Sequence, residues 1–147
     1  MGKQLMTLDL ASLDTVAACD KGAEIELRHP VSNAPLGIFV SILGRDSTVF
    51  KNHIHQSVNA RIRREAMARK RGRDVEILTV EENEQEGIQA LILCTTGWRT
   101  GEEKHITFNG AKLAFNPENA KTIYTALTWL KKQVDEGVAD LENFMKS

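Results

Sequence analysis

"EIELRHPVSNAPLGIFVSILGRDSTVF", residues 24–50, changes its hydrophobic period part-way along. Before Gly44, apolar side chains alternate with others: Ile25 and Leu27, then Ile38, Val40 and Ile42. Period two is the mark of a half-buried strand. The connection "HPVSNAP" carries two prolines and suits a hairpin loop longer than a tight turn. After Gly44 the period lengthens, and Asp46 or Ser47 can cap a helix with Phe50, Ile54, Val58 and Ile62 each about one turn apart. The reading is a hairpin over 24–43 leading into a helix over 46–71. The Phe50–Ile54–Val58–Ile62 stripe is expected to pack within the domain.

The same two periods organise the flanks. Upstream, Leu10, Leu13, Val16 and Ala17 have helical spacing, with Gly22 as the stop. Downstream, Thr79 and Glu82 form a capping box for a helix over 79–96, with Ile88, Leu91, Ile92 and Thr95 on one face. Gly87 weakens that helix by roughly 1 kcal/mol relative to alanine without ending it. In "HITFNGAKLAF", Asn109-Gly110 favours positive φ at both central positions of a tight hairpin. Asn116, Pro117 and Glu118 then start a helix over 117–127: a cap, a proline at the first helical position and an acid in the first turn. Thr128 is read as the cap of a last helix over 129–145, with Leu130, Val134, Val138, Leu141 and Met145 on one side. The expected fold class is α+β: a mainly helical single domain, 1–147, with an N-terminal β-hairpin and a small second hairpin.

Composition narrows the function classes. The 147 residues are 41% hydrophobic and 27% charged, ordinary values for a globular domain. The net charge of −1 gives no global field to attract nucleic acid or a membrane. Cys19 and Cys94 are too few for a disulfide framework, and free thiols in a reducing compartment are expected. No apolar run approaches the roughly 20 residues needed to span a bilayer. The start "MGKQLMTL" lacks the apolar core of a signal peptide, and Met6 stands where a myristoylation signal needs Ser or Thr. A cytosolic protein is expected.

Candidate chemistry is sparse. His53 and His55 are two apart, so on a helix they point to different sides and cannot share a metal. Phosphate-loop, dinucleotide, zinc-protease and serine-hydrolase motifs are all missing. No catalytic residues, metal or cofactor are expected. The sharper signal is "RIRREAMARKRGR", residues 61–73, which holds seven of the nineteen basic residues: Arg61, Arg63, Arg64, Arg69, Lys70, Arg71 and Arg73. Such a tract can bind phosphates. It is followed by Asp74, Glu76, Glu81, Glu82, Glu84 and Glu86, and no aromatic interleaves the arginines to stack on bases. Solvated or internally paired charge is therefore preferred to nucleic-acid binding. Trp98 and Trp129 could be core residues or interface anchors.

The order of these signals resembles a known family. "DTVAACDKGAEIELRHPVSNAPLGIFVSILGRDS", then "TTGW", "NG…AFNPENAKTIY" and "WLKKQVDEGVADLENF", are similar to tail assembly chaperones of bacteriophages with long, non-contractile tails. The resemblance covers nearly the whole chain, with the acidic stretch 74–86 the part that matches least. It implies a protein without chemistry that coats the apolar, helical tape-measure protein in the host cell cytoplasm. Such proteins are displaced as the tail tube polymerises and are absent from the virion. In many relatives a ribosomal frameshift yields a longer form whose extra domain recruits the tail-tube protein. The resemblance also implies homo-oligomers. Among partner-binding residues, Arg63, Arg64 and Arg69 are expected to steer association, with Phe144 and Met145 as subunit contacts. The alternatives are a structural tail component, such as a terminator or connector, and a small nucleic-acid-binding regulator using the basic helix 61–73.

Overall fold

A computed structural model of the protein describes residues 8–74 and 79–145. The two strands of the quoted stretch are β1, Ala23–Arg28, and β2, Pro35–Ile42, paired antiparallel with Ile25 opposite Val40. Pro35 opens β2, a strand position that tolerates the loss of its N–H. In the connecting loop, His29 Nδ1 accepts hydrogen bonds from the amides of Val31 and Ser32, both at 3.1 Å. Ser47 is the cap of α2, Thr48–Lys70, and its hydroxyl accepts from the Phe50 amide at 3.3 Å. Both elements read from the period switch are present.

Three boundaries differ from the sequence expectation. The upstream helix is split: a single 3₁₀ turn, Leu10–Leu13, precedes α1, Thr15–Lys21. Asp14 divides them, because its carboxylate caps the Ala17 amide at 3.0 Å and restarts the helix. The helix from Thr79 ends early, as α3, Val80–Cys94, and passes without a turn into β3, Thr95–Thr100. The expected helix to residue 96 therefore gives way to a third strand, hydrogen-bonded to β2, so the sheet order is β1-β2-β3. Threonines and a tryptophan favour a half-buried pleated surface, and β2 supplies the free edge that the pattern alone does not reveal. The C-terminal helix breaks at Asp140 into α5, Thr128–Ala139, and the short α6, Glu142–Met145. Thr128 is the first helical residue of α5 and not its cap; Leu127 holds that position with no side-chain bond.

The remaining elements match. β4, His105–Phe108, and β5, Ala111–Ala114, form the small hairpin, with Asn109 at φ 52° and Gly110 at φ 78°. α4 spans Pro117–Ala126, capped by Asn116, whose side chain accepts from the Asn119 amide at 2.8 Å. The α+β class, mainly helical with two hairpins, is as read.

The core lies between the three-stranded sheet and a layer made by α3, α4 and α5. Val40, Ile42 and Leu27 from the sheet meet Ile88, Leu91, Ile123, Val134 and Val138 from the helices. Gly137 lets α5 approach, since a Cβ there would sit 3.0 Å from Ile25 Cδ1. Trp98 is 5% exposed and belongs to this core. Its indole donates to the Leu113 carbonyl at 2.9 Å, and its ring meets Phe115 edge-on with centroids 5.0 Å apart. It thereby ties the small hairpin to the main sheet. Trp129 is half-buried against the same core.

Candidate functional site

The element that differs most from its surroundings is α2. It has 23 residues, so it is about 34 Å long. Not one of them is buried. Its start is fixed firmly: Asp20 accepts hydrogen bonds from the Thr48 amide and hydroxyl at 2.7 and 2.8 Å, and the Arg45 amide donates to the Val138 carbonyl at 2.9 Å. Those two hydrogen bonds hold the Asp20 carboxyl below its ordinary value. Beyond that anchor, α2 touches chiefly α3 and α1.

The apolar stripe of α2 does not pack inside the domain as expected. Phe50 reaches the core edge, but Ile54 is 41%, Val58 38% and Ile62 53% exposed. Helix geometry explains why. Residues spaced by four turn about 40° further round the axis at each step. Of the half-buried positions of α2, Phe50, Ser57 and Ala68 keep to one line along the body of the domain, with His53 and Glu65 to either side of it. The stripe begins on that line and winds off it into solvent. At its start, Arg45, Asp46, Phe50, Lys51, Ile54 and His55 line an open groove of about 350 Å³.

The basic tract occupies the C-terminal half of the same helix and runs past its end at Lys70. Arg61, Arg63, Arg64, Arg69, Lys70, Arg71 and Arg73 are all exposed. Glu81, Glu82, Glu84 and Glu86, at the start of α3, are exposed too. Among the described residues the ion pair is Arg99–Glu24 at 2.6 Å, and the His105 imidazole lies 2.9 Å from the Glu103 carboxylate; neither is on this tract. Its charges stand in water, and Glu76 lies outside the described residues. Of the expected partner residues, Arg63, Arg64 and Arg69 share α2 with the exposed stripe. Phe144 does not join them. It is 9% exposed and packs into the core, where α6 closes against α1 and β1, so it is unavailable for subunit contacts in the folded chain. Met145 next to it is half-exposed.

Elsewhere the side chains offer little chemistry. His53 is half-buried and His55 exposed, on different sides of α2. No group of three or more metal-ligating side chains gathers among the described residues. Burial pushes the Cys94 thiol up to about 11 and raises that of Cys19, so both stay protonated and poorly nucleophilic at neutral pH. Tyr124 is pushed up to about 12 by burial, its hydroxyl 2.6 Å from that of Thr95. Among the described residues no helix is long and apolar enough to cross a membrane. The exposure of the stripe was hidden in the sequence, because spacing by four reads equally as a buried face. The charge of the last three turns of α2, Arg61–Lys70, where six of ten residues are charged, was the available signal. Comparisons with protein-family models, with curated proteins and with solved structures find no match.

Proposed function

We propose that this protein is a non-enzymatic tail assembly chaperone of a long-tailed bacteriophage. It holds the tape-measure protein soluble in the host cytoplasm and leaves before the virion is complete. Beside the resemblance in the sequence, one observation carries the reading. A long, well-anchored helix presents Ile54, Val58 and Ile62 to solvent beside seven exposed bases. Exposed apolar surface rimmed by charge is how a protein binds an apolar partner without chemistry. An amphipathic client exposes apolar stripes that aggregate, and a binder present above its dissociation constant draws the client away from that fate. Weak contacts suffice when many copies line one chain. The basic tract speeds the encounter more than it strengthens the complex. A longer, frameshifted form that recruits the tail-tube protein belongs to the same proposal.

Co-expression tests it. The tape-measure protein should move into the soluble fraction with the wild-type chain. It should return to the pellet with an Ile54→Ser, Val58→Ser, Ile62→Ser variant, whose exposed changes cost each about 0.5 kcal/mol or less in stability. A tape-measure protein that stays insoluble with the wild-type chain contradicts the reading. Purified virions should lack the protein by mass spectrometry, and its presence there points to a structural tail component.

The exposed bases favour one second reading, a nucleic-acid-binding regulator. Retention on DNA that falls steeply with salt is its signature.

A further inference from the structure

We propose that α2 pairs antiparallel with α2 of a second copy of this chain, about a two-fold axis passing beside Val58. The pairing uses the composition of α2's own face and does not rest on the chaperone reading; it covers the face a client would occupy, so the second copy and a client exclude each other on one helix. At about 100° per residue, Lys51, Ile54, Val58, Ile62 and Glu65 fall within an arc of about 80°. Their spacing is three, four, four, three, a palindrome centred on Val58. A two-fold axis at Val58 therefore sets Val58 against Val58, and Ile54 of each copy against Ile62 of the other. Self-complementarity of this kind is what an isologous interface requires.

Charge argues for the same partner and the same direction. Lys51 is the only Lys or Arg in α2 before Arg61, and Glu65 is the only acid in the whole helix. The palindrome brings Lys51 of each copy level with Glu65 of the other, at both ends of the apolar patch. Neither residue forms an ion pair within the chain among the described residues. A parallel pair would stack two basic tracts side by side. The antiparallel pair sends them to opposite ends, beyond the roughly 10 Å over which exposed charges interact at ordinary salt. The line by which α2 touches its own domain, marked by Phe50, Ser57 and Ala68, lies about 80° round the helix from the middle of this face, on which Glu65 alone is half-buried. Each domain thus sits to the side of the pair.

A cysteine on the axis reads the arrangement directly. Cys19 and Cys94 are buried, so an introduced surface thiol reports alone. Under mild oxidation Val58→Cys should form a disulfide-linked dimer rapidly, because only a residue on the axis meets its own copy. Gln56→Cys, about 160° round the helix, should not. In the cysteine-free-surface protein, sedimentation should show Lys51→Glu and Glu65→Lys each weakening the dimer by roughly tenfold, every change counting twice across the axis. The double exchange should restore it. A Val58→Cys protein that cross-links no faster than Gln56→Cys overturns the pairing. So does a chain that sediments as a monomer at every concentration and covers this face only when a client is added. A double exchange that fails to restore the dimer overturns the Lys51–Glu65 register.

Discussion

Gly44 shows how much one residue carries at the point where strand gives way to helix. A Cβ at this position would overlap Cys19 Sγ and press on Phe144, so α1, β2 and α6 can meet only over a glycine. Gly44→Ala should destabilise the fold by about 1–3 kcal/mol through overpacking, read as a lowered midpoint in denaturant with an unchanged slope. Glu24 supplies a pH signature. It accepts two hydrogen bonds from Arg99, at 2.9 and 2.6 Å, across the width of the sheet. Arg99 holds its carboxyl below the ordinary 4.5. A lowered folded value means the pair's contribution is fully present above 4.5 and lost as pH falls through the folded value. The side chains are more than a third exposed, so the contribution is small, about 0.5 kcal/mol. Glu24→Gln should cost that much near neutrality and nothing in strong acid, by denaturant titration at each pH.

At the scale of elements, caps were the most legible part of the chain. Thr79, Asn116 and Ser47 all cap where their side-chain chemistry indicates, and Asn109-Gly110 makes its turn. These signals are local, so the neighbouring residues decide them. What the sequence did not disclose depends on distant partners. Thr95–Thr100 becomes a strand because β2 lies beside it, and the Thr95 hydroxyl, bonded to the Leu91 carbonyl at 2.6 Å, marks the change of structure. Phe144 looked like a terminal apolar residue free for contacts, yet α6 folds back to bury it. The stripe on α2 failed in the opposite direction. Its spacing is that of a buried face, but α2 leaves the domain's surface along a different line. The candidate site was therefore visible as a basic tract and invisible as an apolar face.

The whole molecule divides into a packed body and one exposed arm. The body, sheet and helices together, holds Trp98, Tyr124 and both thiols in its core and presents little chemistry. The arm is α2, held at its start by Asp20 and without a fully buried residue along its length. The proposed function requires that this arm receive the tape-measure protein. Hydrogen exchange tests it most directly, because backbone amides of a helix slow only where a partner covers or steadies it. The measurement compares the free protein, diluted until it sediments as a monomer, with its complex with a soluble tape-measure fragment. Slowed exchange is expected to concentrate on residues 54–66 of α2, with the amides of α4 and α5 unchanged. A complex that forms while α2 exchanges as fast as in the free protein would contradict it.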